Sequence, residues 1–281
     1  MRQFVQEIFE GERAFYAESG AVLQSCVFKG GESAVKECSD LEIYNSVFEW
    51  KYPVWYSKKL LFDGCTVLKD GRAGFWYIDG LTIKNSTLDS PKNIRRCNDI
   101  VMENVSFTDG DETLWKCRNA KLKNIHAKGD YFAMDSENIE IDGLDLVGGY
   151  SFDGVKNVVV RNSRIVGRDV FWNSENVTVY DSFLTGAYLA WNAKNVRFIN
   201  CTIESLQGLC YSDELHLENC RLINTTLAFE YSDVHAELTG TVESVFNPKS
   251  GVIKADGIKE LTMDKNRIDP EKTIIKLDGD K

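Results

Sequence analysis

Asp111 and Asp130 stand 19 residues apart, and that spacing recurs through the chain. If 19 residues make one turn of a stacked structure, their backbones lie one layer apart, about 4.8 Å along the stack. Carboxyl pairs roughly 5–9.5 Å apart are the ones that cleave glycosidic bonds, one as acid and one as base or nucleophile. Asp135 follows on the adjoining stretch, so Asp111, Asp130 and Asp135 are the candidate catalytic residues. The Arg168–Asp169 pair falls at nearly the same place in the repeat as Asp130, and Asp153 corresponds to the stretch near Asp135. These three are suited to bonding a ligand's hydroxyl groups.

Five of the six tryptophans, Trp55, Trp76, Trp115, Trp172 and Trp191, fall five residues before an apolar segment. Lys36, Arg95, Met134, Asp153 and Phe229 share that register, and Cys210 also falls in it. Three charges stacked in a dry core would cost several kcal/mol each, so the column is expected to face outward. An exposed ladder of Trp and Tyr among acids and amides suits a sugar, whose CH-rich face packs on indole. Trp115, Trp172 and Trp191, with Asp153, Arg168 and Asp169, are therefore the candidate substrate-binding residues. A second reading stands beside it: the rings stack on one another, with Arg95 as a cation between Trp76 and Trp115.

The elements that position these residues repeat. An apolar–polar–apolar–polar segment begins at Ala21, Leu41, Leu60, Leu81, Ile100, Ala120, Ile139, Val158, Val177, Val196, Leu215 and Val234. The spacings are 20, 19, 21, 19 and 20, and then 19 without exception. Period-two alternation makes each segment a half-buried strand, and Asn45, Asn85, Asn104, Asn124, Asn162, Asn200 and Asn219 mark a corner after it. A second line of Asn precedes the strand at Asn119, Asn138, Asn157, Asn176 and Asn195. One such unit cannot bury its own apolar side, and stacking like units solves this. The sequence predicts an all-β fold, a single-stranded right-handed parallel β-helix of about 12 coils with a repeat of ~19 residues, right-handed because parallel crossovers are. Residues 1–281 read as one domain: a cap over 1–18, repeat coils over 19–250, and a last coil and tail over 251–281.

Composition narrows the function. The net charge is −10 with cations and acids interleaved, which argues against nucleic-acid binding. No segment approaches the roughly 20 apolar residues that span a bilayer, and no signal-peptide core follows Met1, so a cytoplasmic location is expected. Eight cysteines then read as buried thiols; Cys201 and Cys220, adjacent in the stack, should stay reduced. His126, His216 and His235 fall at outward strand positions on different coils and read as lone surface residues. Zinc-type spacings are absent, no metal is expected, and nothing in the sequence names a cofactor. GxSxG, P-loop, HExxH and dinucleotide motifs are absent as well.

The stretches GER from Gly11, GES from Gly31, WKYPVWYS from Trp50, RAGFWY from Arg72 and GDYFAMDS from Gly129 are distinctive. So are YSFDG from Tyr150, FWNSENVTVYDS from Phe171 and ESLQGLCY from Glu204. Through them the chain resembles an uncharacterised bacterial family, a domain of unknown function with a pectin-lyase-like right-handed β-helix. The resemblance spans nearly the whole chain and implies the fold; it transfers no catalytic residues. The leading expectation is a carbohydrate-active protein that binds or processes an oligosaccharide along the aromatic and acidic face, with glycoside hydrolase or polysaccharide lyase chemistry left open. The rival is a non-catalytic scaffold that uses the Trp stripe to dock a partner or form a homo-oligomer.

Overall fold

The computed structural model describes residues 1–277. The chain divides into two compact units, Met1–Val147 and Gly148–Lys281. Each is built from parallel strands that pair with their counterparts one turn away, an all-β parallel β-helix architecture with about 15 turns counted over both units.

In the first unit Ala21, Leu41, Leu60, Leu81, Ile100, Ala120 and Ile139 are successive register partners. In the second, Val158, Val177, Val196, Leu215 and Val234 follow one another in the same way. Val158, Val177 and Val196 are all buried, as the 19-residue spacing requires. Residues outside the recognised repeat join the same pattern. Arg2–Val5 pairs with the strand starting at Ser19, and Thr273–Leu277 pairs with Ser250–Ala255. These additional coils raise the count above the expected 12.

The Asn corners behave as their chemistry dictates. Asn45, Asn85, Asn104 and Asn124 have φ between 47° and 55°, the left-handed region that Asn tolerates. Their amides form a ladder: Asn124 donates to Asn104 Oδ1 at 3.1 Å and Asn104 to Asn85 Oδ1 at 3.0 Å. The second Asn line is laddered too, Asn195 donating to Asn176 at 2.8 Å and Asn176 to Asn157 at 3.0 Å. Each bond satisfies a polar group that repeats every layer, so the corners reinforce the register set by the apolar residues.

All eight cysteines are buried free thiols. Burial pushes Cys38 and Cys65 up to about 11 and Cys210 up to about 12. The Cys201 thiol is also pushed up, first by its hydrogen bond to the Cys220 sulfur and then by burial. Thiols held protonated are poor nucleophiles, and these side chains serve as core filling.

Candidate functional site: two aromatic ladders

In the first unit the tryptophans stack on one another. Trp55 and Trp76 lie parallel at 4.9 Å, and Tyr56 and Tyr77 beside them at 4.7 Å. The Arg95 guanidinium sits 4.8 Å from the Trp76 ring and 4.7 Å from the Trp115 ring, the cation sandwich that the register predicts. Arg95 is also paired with Glu112, which Lys92 approaches to 3.4 Å. The indoles are anchored at their other edge, Trp55 Nε1 donating to the Ala73 carbonyl and Trp76 Nε1 to that of Lys92, both at 2.8 Å. Their faces are therefore filled by neighbours, and Trp115, half-buried, meets Tyr131 at 6.1 Å on its far side.

The candidate acids of this unit lie on exposed turns. The Asp111 carboxylate accepts the backbone N–H of Asp130 at 2.7 Å, which ties the two turns together. Asp135 lies 3.7 Å from Lys116 in an exposed ion pair. Such a pair contributes little to stability and leaves Asp135 in contact with solvent.

The ladder of the second unit is looser. Trp172 and Trp191 are 6.2 Å apart and tilted by 31°, Trp191 and Tyr211 are 4.7 Å apart at 36°, and Tyr211 and Tyr231 are 5.5 Å apart at 49°. Tyr188 meets Trp191 edge-on at 5.5 Å and carries the Arg168 guanidinium 5.6 Å above its ring. The rings are tilted against one another instead of lying flush. An amide ladder runs alongside: Asn192 donates to Asn173 at 2.8 Å, and Asn173 to Asp153 at 3.0 Å.

Asp169 lies behind this surface, with only 1% of its area exposed. Arg168 Nε approaches its Oδ2 to 3.1 Å, while its Oδ1 is buried without a hydrogen-bond partner. Burial raises its pKa above the usual carboxylate range; the Arg168 charge and hydrogen bonds from Tyr150 and Arg168 pull the other way. A group this enclosed cannot itself touch a ligand lying on the surface. It holds the exposed Arg168, which can.

Three expectations are corrected here. Trp172 and Trp191 are half-buried, and the Trp172 Nε1 donates to the Tyr188 carbonyl at 2.9 Å, so the ring is part of the coil as well as of its surface. Phe229 is fully buried because its own backbone is left-handed, φ 71°, a conformation that none of the five tryptophans shares and that redirects its side chain. Cys210 is fully buried because its short side chain turns to the backbone, the thiol donating to the carbonyls of Gly208 at 3.2 Å and Leu227 at 3.4 Å. Tyr150 and Tyr188 went unnoticed in the sequence, although Tyr150, Asp169 and Tyr188 are spaced 19 apart. That spacing was the available signal.

Among solved structures the chain is similar to the A-module of the mannuronan C-5 epimerase AlgE4 of Azotobacter vinelandii, at 12% identity and TM-score 0.32, covering 98% of this chain and 88% of that one. It is also similar to the catalytic domain of a GH87 alpha-1,3-glucanase in complex with nigerose, at 8% identity and TM-score 0.30, covering 98% and 63%. A third is the periplasmic alginate epimerase AlgG, at 9% identity and TM-score 0.27, covering 97% and 76%. No curated protein matches the sequence. The profile of DUF3737, a protein family of unknown function, matches residues 2–276, and the chain, with its laddered coils and aromatic stripe, belongs to that family.

Proposed function

We propose that the protein is a carbohydrate-active β-helix that binds an oligosaccharide along the Trp172–Trp191–Tyr211 face of its second unit. The observation that carries this reading is the splay of that ladder, 31° and 36° between successive rings, beside the Asp153–Asn173–Asn192 amide line. Tilted aromatic faces offer apolar area to the CH face of a sugar, and the amides and Arg168 offer donors and acceptors to its hydroxyls. Trp115 is set apart by the Arg95 guanidinium, which covers one of its faces. A processing role is proposed for the first unit by itself, with acid and base on the neighbouring turns of Asp111 and Asp130 and Asp135 on the adjoining stretch. The protein is proposed to act in the cytoplasm, on imported or internally made oligosaccharide.

A glycan array with the wild-type protein and Trp191→Ala tests the binding face. Binding of a defined glycan, reduced at least tenfold by Trp191→Ala with the circular dichroism spectrum retained, is the expected result. For turnover, Asp130→Asn should abolish cleavage of glycan by the first unit while leaving binding to the Trp191 face unchanged. If no glycan binds and Trp191→Ala instead shifts an oligomer to monomer, the ladder is a docking surface and the carbohydrate reading fails.

A further inference from the structure

The outward faces of the strands carry charges in alternation. Lys84, Glu103, Lys123 and Asp142 are successive register partners in the first unit, and Lys156, Glu175, Lys194 and Asp213 in the second. Opposite charges one layer apart attract, and like charges directly opposite are destabilising. Near the C-terminal end this alternation stops in two neighbouring columns. Arg197, His216 and His235 are register partners on three consecutive coils, and Lys254 lies opposite Lys276. Both ladders line one groove of about 470 Å³.

The groove is built. The imidazoles of His216 and His235 lie nearly parallel, 15° apart with centroids at 5.4 Å, so their ring nitrogens can address one ligand from two layers. The strand pairing slips beneath them: Leu217 pairs with Ala236 but Cys220 with Leu238, leaving Glu218 and Asn219 opposite the single residue Glu237. Such bulges re-aim side chains and are frequent beside functional sites. Lys254 is partly neutralised by Glu237 at 2.5 Å. Among the described residues, Arg197 and Lys276 have no acidic partner within ion-pair distance.

We propose that this groove binds a phosphate monoester where Arg197, His216 and His235 stack, with Lys254 on the next coil. A tetrahedral group directs oxygens to residues on successive coils at once, whereas a carboxylate holds two in one plane. The His216 pKa is lowered, by burial first and then by the Arg197 and His235 charges; Asp233 and Glu214 oppose this, and Glu218, Glu237, Lys254 and Lys276 also line the groove. A bound dianion reverses that balance and raises the pKa of His216. The groove shares no residue with the Trp172–Trp191 face, so either proposal can fail without the other.

Imidazole resonances of the full-length protein, followed by long-range nitrogen–proton correlation, test the proposal with inorganic phosphate and glucose 6-phosphate as probes. Glucuronate and sodium chloride at matched ionic strength are the controls. The expected result is saturable shifts of His216 and His235 with at least one phosphate probe and a rise in the His216 pKa. Arg197→Gln should weaken that binding at least fivefold, and Lys276→Met, four coils from Arg197, should leave it unchanged. Shifts reproduced by sodium chloride, saturation by glucuronate alone, no saturation at all, or equal affinity in both variants would each overturn it.

Discussion

At the scale of single residues, the burial of a polar group decides its role. The Trp172 indole is half-buried with its N–H bonded to the next coil, whereas no hydrogen bond of that kind holds Trp191 among the described residues. Trp172→Ala should therefore destabilise the protein by about 2 kcal/mol, from a lost bond and lost packing, and Trp191→Ala by about half as much. Urea unfolding midpoints for the two variants provide the check, with equal losses counting against the distinction. Asp169 supplies a prediction with a sign. Its folded pKa is raised, so between the ordinary carboxylate value and the raised one the folded state binds more protons than the unfolded state. Its contribution to stability is thus greatest below the ordinary value and falls as pH climbs through the raised one. Asp169→Asn should remove that fall. Thermal midpoints of both proteins between pH 3 and 8 should converge or cross as pH rises, and parallel curves would contradict the assignment.

At the scale of the element, the recurring corner joins two effects in one Asn. Asn104 combines a left-handed backbone, φ 55°, with ladder bonds to Asn85 and from Asn124. Asn104→Ala loses both the tolerated conformation and the bonds, at a cost of about 2 kcal/mol; Asn104→Gly keeps the conformation and should cost about 1 kcal/mol. Chemical denaturation of the two variants separates the terms, and equal losses would assign the whole effect to the ladder. The same reasoning explains what the sequence revealed about the site. Trp and Asn lines were legible because a stack repeats one residue type at one spacing. The stacked pair His216 and His235 obeys the same spacing, yet each was read as a lone surface residue, since an outward position by itself does not reveal what its neighbours across the layer will be.

At the scale of the whole molecule, each coil is stabilised by the one before and the one after it, so stability should follow position in the stack. The strands at Val177 and Val196 have partners on both sides, whereas Arg2–Val5 and Thr273–Leu277 end their ladders among the described residues. Hydrogen exchange followed by mass spectrometry should find the first group protected at least a hundredfold more than the second. Uniform protection throughout would mean that the protein opens only as a whole.

The fold was written in the sequence because a β-helix repeats its physics: apolar residues at one period, corner Asn at another, and a spacing that puts like on like. The tertiary structure decided what repetition alone could not. Whether aromatic rings in register lie flush, as Trp55 and Trp76 do, or splay, as Trp172 and Trp191 do, depends on the packing of each pair of coils. Whether an acid in a turn is exposed like Asp111 or enclosed like Asp169 depends on the chain that folds over it. Spacing fixes which residues become neighbours; the direction and burial of each side chain are set only when those neighbours compete for the same space.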